Sequence, residues 1–455
     1  MSQIKMSEAV EMAMELVGQG VVVGEINNAR NLRWANSALT TNGDTVDQSL
    51  SIAAFVDTPE GVASGISSAQ VRSRDDIIAL VEASKASARA AGPAQDAMEL
   101  VSGPQHSDFH ADVTQNDDEG IDFLSIQLGN VLPHGHFFGY AEQSEDTMLV
   151  ATSAGTRMRF TQSTSRFELC AKSKDRERSA WSGQSGTSLS DVLVTTHADT
   201  VLRGLQHQQN RIDLEPGLHK VTLSPSAMAD LMIYMLWSAT AREAHEGRSV
   251  FSNPLGGTRI GEQLTQRKLT IATDPRLKGL ETIDHVVNLG SSSMSSSFDT
   301  GLATPRTEIL RDGTLNALGS SRHAAVEAQL PFTPLSDNIE VRDERGSGSL
   351  DELAERMGDG LLITCLWYIR EVDPQSLLLT GLTRDGVYVV KNGEIVGASN
   401  NFRFNESPVG MLSRITDAGN SVNCLPREWA DWFSRARVAP VTVEQFNLST
   451  RSDAV

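Results

Sequence analysis

Residues 223–238 read LSPSAMADLMIYMLWS, and this stretch decides how the second half of the chain folds. Ser224 belongs to the residue types that cap helix N-termini, and Pro225 suits the first helical position. The sequence therefore predicts a helix that starts here and runs towards Glu246 and Gly247. Because the helix is apolar nearly all round, we expect it to be buried. Its large apolar residues recur at helical spacing: Met228, Leu231, Met232, Met235 and Leu236.

Short motifs follow this helix in a definite order. Asp312-Gly313 and Asn392-Gly393 are strong signals for tight hairpin turns, because type I′ geometry requires positive φ at both central residues. These turns predict a mostly antiparallel β domain. In chain order the motifs are GRS at 247–249, GGTRIG at 256–261, LTIATDP at 269–275, RTEILRDG at 306–313, GLLIT at 360–364 and TGLTRDGVYVVKNGEI at 380–395.

In their order, these motifs resemble the TldD/PmbA family, whose members are also called modulators of DNA gyrase. The peptidase subunit of that family carries Leu-Gly-Pro-Gly followed by a helix that bears His-Glu-x-x-x-His. If Leu-Gly-Pro-Gly is aligned with residues 223–226 and no gap is introduced, the first histidine of the motif falls on Ile233, its glutamate on Tyr234 and its second histidine on Ser238. The resemblance is therefore closest to the TldE/PmbA-like subunit, which lacks the motif.

The chemistry of such a site needs residues that this stretch lacks. A catalytic zinc takes about three His, Cys or carboxylate ligands and an open position for water, and a nearby carboxylate accepts the proton of that water. In the family the third ligand is a cysteine, and the matching position here falls near Trp432 or Phe433. Cys424 lies about eight residues too early. We therefore predict no catalytic, cofactor-binding or metal-binding residue at these positions.

The resemblance also implies a function. We expect a non-catalytic TldE/PmbA-like subunit that pairs with a TldD-like metallopeptidase subunit, and the zinc is expected in that partner. The substrates implied by the family are unfolded proteins and peptide precursors. One alternative is a self-sufficient, metal-independent hydrolase, for which Ser321 and His323 are candidate residues, although no nucleophile-elbow motif frames a serine. The other is a non-enzymatic, homo-oligomeric peptide-binding protein, and the isolated chain is a candidate homodimer.

The first half of the chain predicts an α+β domain. Ser7 is expected to cap an opening helix, and Ser73 with Asp76 forms a capping-box-like start for a second helix. Between them, turn signals at Asn42-Gly43 and at 58–61 favour short antiparallel strands. The four strands are expected at 21–26, 31–39, 48–56 and 61–66.

The length of 455 residues favours two domains. We place the boundary near Glu215, because the following residues resemble the linker and first strand of the family's second domain. The expected fold class is α+β: residues 1–215 form an antiparallel sheet with flanking helices, and residues 216–455 form a mostly antiparallel β domain that contains the buried helix.

The charge and hydropathy of the chain limit the kinds of partner that it is expected to bind. The chain has 39 basic and 58 acidic residues, so its formal net charge of −19 disfavours binding to nucleic acid and to anionic membranes. No apolar run approaches the length of a membrane span, and the polar start MSQIKMSEAVEM does not resemble a signal peptide. We therefore expect a cytoplasmic location. Three cysteines without CxxC spacing suggest neither a disulfide framework nor a structural zinc cluster.

The best metal-like pattern in the sequence lies elsewhere. If residues 106–112 formed a strand, His106, Asp108, His110 and Asp112 would share one face and could hold a divalent ion. Their surroundings are rich in Ala, Gly, Asp, Asn and Gln, which favours a solvated loop. We therefore regard His106, Asp108 and His110 only as metal-ligand candidates.

Overall fold

A computed structural model of the chain describes residues 4–113 and 119–452. Within these residues, helices combine with mainly antiparallel strands, which form three sheets. This confirms the predicted α+β class.

The first sheet lies entirely in the N-terminal part and has the strand order β3-β2-β1-β4-β5-β6, with every neighbouring pair antiparallel. Its strands are β1 (Gly20–Ala35), β2 (Ala38–Thr58), β3 (Gly61–Ala69), β4 (Phe137–Thr152), β5 (Arg157–Lys172) and β6 (Ser179–Gly186). The helices of this part are α1 (Met6–Val17), α2 (Arg74–Ala91), α3 (Gly120–Val131) and α4 (Val194–His207).

The first strands are longer than the sequence predicted. β1 covers the first expected strand and residues 31–35 of the second, whose remaining residues 36–39 contain the hairpin turn at Asn36 and Ser37, with φ angles of 50° and 63°, and the start of β2. Asn42-Gly43 was predicted as a turn, but Gly43 lies within β2 and pairs with Asn31. The error has a physical cause. The part of β2 near the hairpin turn is mostly exposed, so its apolar and polar residues do not alternate in the way that predicts a strand.

Of the two helix starts predicted in the N-terminal part, one is confirmed and the other is wrong. The capping box of Ser73 and Asp76 at the start of α2 is confirmed. The first helix begins at Met6 with Lys5 as its N-cap residue, so the predicted Ser7 cap was wrong. Ser7 is instead buried within the first turn, where α1 packs with α2 against the sheet.

The C-terminal part contains two further sheets. Its strands are β7 (Gly217–Leu223), β8 (Leu269–Thr273), β9 (Thr307–Arg311), β10 (Thr314–Leu315), β11 (Ile339–Asp343), β12 (Gly360–Asp373), β13 (Leu378–Lys391), β14 (Glu394–Ala398), β15 (Asn401–Glu406), β16 (Ile415–Ala418), β17 (Val422–Cys424), β18 (Ala436–Val438) and β19 (Val441–Ser452). One sheet has the order β10-β9-β8-β11-β18-β17. The other has the order β12-β7-β19-β15-β13-β14, and β12 also pairs with β13, so this sheet closes on itself.

The predicted antiparallel character holds for most of these pairs, and only β7–β12 and β11–β18 are parallel. Both predicted hairpin turns are confirmed. Asp312 and Gly313 have φ angles of 49° and 85°, and Asn392 and Gly393 have φ angles of 51° and 82°. The helices of this part are α5 (Pro225–Ser238), α6 (Ala241–His245), α7 (Arg322–Ala328), α8 (Leu350–Met357) and α9 (Pro408–Leu412).

The two parts pack directly against each other. The Ser185 hydroxyl donates to the carbonyl oxygen of Cys424 at 3.0 Å, and the rings of Phe55 and Phe298 stack with centroids 4.3 Å apart. The first sheet ends at residue 186 and β7 begins at Gly217. The boundary near residue 215 falls in this connection and stays a prediction. Among the described residues, no helix has both the length and the apolar character needed to cross a membrane.

Candidate functional site

Helix α5 lies between the two C-terminal sheets. Ser224 accepts a hydrogen bond from the backbone of Ala227 at 3.1 Å, which confirms the predicted N-cap. The same hydroxyl donates to the carbonyl oxygen of Thr364 in β12 at 2.6 Å, and Ser226 donates to that of Leu425 at 2.8 Å. These bonds fix the start of the helix against its neighbours. The predicted burial is confirmed for ten residues: Ser226, Ala227, Met228, Ala229, Asp230, Leu231, Met232, Ile233, Met235 and Leu236.

The three positions that match the peptidase motif have different surroundings. Ile233 is fully buried in the apolar core. Tyr234 and Ser238 are half-buried and line a cleft beside the helix. The structure therefore does not bring the three side chains together at one point.

The helix is shorter than predicted. It ends at Ser238, and a separate short helix, α6, starts after Thr240. Between them, the backbone of Gly319 donates to the carbonyl oxygen of Ala239 and accepts from the N–H of Ala241, both at 2.8 Å. These bonds satisfy backbone groups that a continuous helix would otherwise use, so the prediction of a single helix to Glu246 was wrong.

Aromatic rings form one wall of the cleft, which has a volume of about 630 Å³. The rings of Trp237 and Trp429 meet edge to face with centroids 5.0 Å apart. Tyr234 lies 5.7 Å from Trp429, and Phe433 lies 6.2 Å from Trp237. Such contacts stabilise the wall and leave parts of the half-buried rings open to a ligand.

Charged side chains line the other walls. Glu243 and Arg248 come from α6 and the segment after it, and Arg370 and Glu371 come from the end of β12. Both arginines are paired with carboxylates that are not part of the cleft lining. Arg248 pairs with Glu246, and Arg370 lies 3.1 Å from an oxygen of Glu428.

Glu428 shapes this wall. Its carboxylate accepts hydrogen bonds from the backbone N–H groups of Tyr368 at 2.7 Å and Ile369 at 3.0 Å. β12 is irregular at this point, and Tyr368 has a φ of 56°. Glu428 therefore satisfies two backbone donors that the strand ladder leaves unpaired, and it holds the bulge that presents Arg370 beside the cleft.

A buried carboxyl group lies in α5 itself. Asp230 is fully buried, and one of its oxygens accepts from the backbone N–H of Glu428 at 3.1 Å. The other oxygen has no hydrogen-bond partner among the described residues. Burial, together with the negative charge of Glu428, raises the pKa of Asp230 well above its ordinary value. The sequence analysis did not single out Asp230, although a lone acid in an apolar helix was a signal for it.

The position expected for the third ligand also lies near this helix. Phe433 is buried against Trp237, whereas Trp432 is 82% exposed. Cys424 is buried, and burial with the nearby charge of Asp230 raises the pKa of its thiol. A thiol held protonated in this way is a poor zinc ligand, because the thiolate is the form that binds metal.

The metal-ligand candidates at 106–112 do not converge. The segment forms turns, so strand alternation does not apply. The ring of His106 contacts the backbone of Arg159, whereas exposed His110 lies 3.9 Å from Glu11. Asp108 is exposed. Within residues 4–113 and 119–452, no group of three or more His, Cys, Asp and Glu side chains is arranged to hold a metal ion.

The serine and histidine of the alternative hydrolase hypothesis are also separate. The Ser321 hydroxyl caps α7 by accepting from the backbone of Ala324 at 3.1 Å. The ring of His323 lies 3.4 Å from Glu327, one turn further along the helix. The structure therefore uses Ser321 as a helix cap and pairs His323 with a different residue.

Comparisons with known proteins agree with this fold. Residues 216–450 match the family described as the PmbA/TldA metallopeptidase C-terminal domain. None of the curated proteins matches the chain. Similar solved structures include a proposed modulator of DNA gyrase from Bacteroides thetaiotaomicron, at 14% identity and a TM-score of 0.75, covering 97% of this chain and 98% of that one.

Two further solved structures have the same fold. TldE from Thermococcus kodakarensis is 12% identical, with a TM-score of 0.74 and coverage of 97% of this chain and 99% of that one. A proposed modulator of DNA gyrase from Thermotoga maritima is 16% identical, with a TM-score of 0.73 and coverage of 97% and 100%. At these identities the likeness concerns the fold alone. The sequence match, however, spans more than half of the chain, and this protein therefore belongs to the PmbA/TldD metallopeptidase family.

Proposed function

We propose that this chain is a non-catalytic, TldE-like subunit of a heteromeric metalloprotease, in which a TldD-like partner supplies the zinc ion and the general base. The observation that carries the proposal is the identity of three positions in α5. Ile233, Tyr234 and Ser238 stand where the peptidase subunit has histidine, glutamate and histidine. Without those groups these three positions offer neither the ligand set for zinc nor the carboxylate that accepts the proton of the attacking water.

The packing around α5 supports the proposal. Ile233 is enclosed by the apolar core, so no water can reach that position. Phe433 is buried beside Trp237 where the family's cysteine ligand is expected. A water-activating metal site needs an open coordination position, and these side chains fill the space with apolar groups.

In this proposal the chain acts by binding. It contributes a surface for the catalytic partner and helps to enclose an extended peptide or an unfolded protein, which sheet edges can hold through main-chain hydrogen bonds. The solved TldE structure is similar to this chain over nearly its whole length, which is consistent with such a role. We propose that the complex works in the cytoplasm.

The test is to purify the chain alone, its TldD-like partner alone, and the two together. Cleavage of a fluorescently labelled unfolded protein is expected only when the metal-binding partner is present, and it should rise when both subunits are combined. A metal chelator should abolish it, and added zinc should restore it. Size-exclusion chromatography of the mixture should show a complex that contains both chains.

Two results would contradict the proposal. Chelator-resistant cleavage by this chain alone would favour the self-sufficient hydrolase, and Ser321→Asn would then identify the nucleophile, since asparagine can still cap α7 but lacks the hydroxyl. A homo-oligomer that binds peptides and never associates with the partner would favour the non-enzymatic alternative.

A further inference from the structure

Two glutamates in the lining of the cleft beside α5 lie outside the ion pairs described around it. Its two arginines are already paired with carboxylates outside the cleft lining. In contrast, the carboxylates of Glu243 and Glu371 have neither an ion-pair partner nor a hydrogen-bond partner in the part of the chain that the structure describes. Two acids that line the same cleft and pair with neither of its arginines favour a positively charged ligand.

The charge of Glu243 acts on Glu371. Burial raises the pKa of Glu371, and the negative charges of Glu243 and Asp373 raise it further. A cation bound between Glu243 and Glu371 would relieve the repulsion between their charges, so the cleft favours a cation over a neutral group of the same size.

The aromatic wall has the same preference. The faces of Trp237, Trp429 and Tyr234 carry negative electrostatic potential, and cations bind over such faces, most strongly over tryptophan. Because the rings are half-buried, part of their surface stays open to the cleft. An aromatic wall in the same cleft as unpaired carboxylates therefore suits a group that is both cationic and attached to an apolar stem.

We propose that this cleft binds the cationic side chain of a lysine or arginine within an extended peptide. The inference rests on the proposed function only in taking a peptide as the ligand. The side chain's methylene groups pack on Trp237 and Trp429, and its charged end lies between Glu243 and Glu371. The volume of about 630 Å³ exceeds the need of one side chain, so it also accommodates neighbouring residues.

The direct test measures peptide binding by the isolated chain. Three labelled peptides of identical sequence would carry arginine, citrulline or glutamate at the central position. Citrulline has the shape of arginine without its charge, so it isolates the electrostatic contribution. We expect the arginine peptide to bind about tenfold more tightly than the citrulline peptide, as measured by fluorescence anisotropy, and to weaken as salt is added.

Variants locate the site. The Glu243→Gln/Glu371→Gln double variant should lose about tenfold in affinity for the arginine peptide and should no longer distinguish it from citrulline. A control with the same change in net charge is Glu60→Gln/Glu82→Gln, since both residues are exposed in the N-terminal part. It should bind like the unmodified chain. Circular dichroism and thermal melts of both variants verify that the fold is intact.

The results separate this inference from the proposed function. Equal binding of the arginine and citrulline peptides, unchanged binding by the folded double variant, or absence of binding by any of the peptides would overturn the cation site. Self-association that only the double variant abolishes would show that a second copy of this chain occupies the cleft, and would overturn it as well. If the chain binds the arginine peptide in a charge-dependent way but forms no complex with the TldD-like partner, the cation site is supported and only the proposal of a heteromeric protease is contradicted.

Discussion

Arg427 donates a hydrogen bond to the carboxylate of Asp385, and this buried ion pair of the C-terminal part lies against β6 of the N-terminal part. The second carboxylate oxygen of Asp385 accepts from the hydroxyl of Ser179 in β6. The guanidinium lies 5.1 Å from the ring centre of Trp181, also in β6, and 5.3 Å from that of Trp367 in β12. Burial opposes ionisation of Asp385, but the charge of Arg427 and the hydrogen bonds outweigh it and hold its pKa below the ordinary value.

Replacing this arginine should destabilise the protein strongly. Arg427→Met removes the cation but keeps an apolar stem, and it leaves the Asp385 carboxylate buried without its partner. Breaking a buried pair in this way costs about 3–5 kcal/mol. Thermal unfolding measures the loss. Arg276→Met is the matched control, because Arg276 is 79% exposed and its ion pair lies at the surface. Equal melting temperatures for the two variants would show that the pair does not contribute as described.

The apolar packing of α5 leads to a second prediction. Ile233→Asp places a carboxylate in a position with no exposed surface and no described polar partner, so it should cost several kcal/mol of stability. Ser238→Asp tests the same change on the same helix, but at a half-buried position that lines the cleft. We expect that variant to lose about 1 kcal/mol or less, mainly from a negative charge near the helix C-terminus. A stable Ile233→Asp variant with an unchanged melting temperature would mean that position 233 is exposed.

Metal content provides a third prediction. We expect the purified chain to hold no stoichiometric zinc at Ile233, Tyr234 and Ser238, as measured by elemental analysis after gel filtration. Restoring the family residues in Ile233→His/Tyr234→Glu/Ser238→His should not create a tight site, because position 233 is enclosed by the apolar core and Phe433 stands near the position of the missing third ligand. About one tightly held zinc per unmodified chain, lost on changing residues 231–238, would contradict this account.

The parts of the fold that the sequence predicted well carry strong local signals. Ser73 with Asp76, Ser224 with Pro225, and the two hairpin turns use residue types that fit one backbone geometry. The predictions failed where distant residues decide the geometry. The break after Ser238 depends on Gly319, which is about 80 residues away in the chain, and no local pattern reveals that pairing.

In the candidate cleft, too, the sequence predicted the residues with a local signal and missed those that distant segments contribute. The sequence identified Tyr234 and Ser238 because the family motif falls on them, and both line the cleft. It did not identify Glu371 or Trp429, which come from other parts of the chain and meet α5 only in the folded protein. Local periodicity describes one helix or strand at a time, so it cannot predict a site that is assembled from four segments of the chain.

A histidine in the N-terminal part should make stability depend on pH. In α4, the ring of His197 lies between Ser182, whose hydroxyl is 2.8 Å from Nδ1, and Gln184, whose side-chain oxygen is 3.2 Å from Nε2. A neutral ring satisfies both contacts if Nε2 donates to Gln184 and Nδ1 accepts from Ser182. Burial lowers the pKa of His197 to about 4.

The sign of the effect follows from this shift. The ordinary value of 6.5 lies above the value in the folded protein, so the unfolded chain takes up its proton first as the pH falls. The stabilisation from neutral His197 is therefore complete above about pH 6.5 and is lost progressively towards pH 4, by about 2–3 kcal/mol in total. His197→Gln should remove this contribution, so its melting temperature should fall less than that of the unmodified chain between pH 7 and pH 4. His245→Gln, at the exposed end of α6, is the control and should keep the full pH dependence. Parallel melting curves for the unmodified chain and His197→Gln across this pH range would mean that His197 titrates alike in the folded and unfolded states.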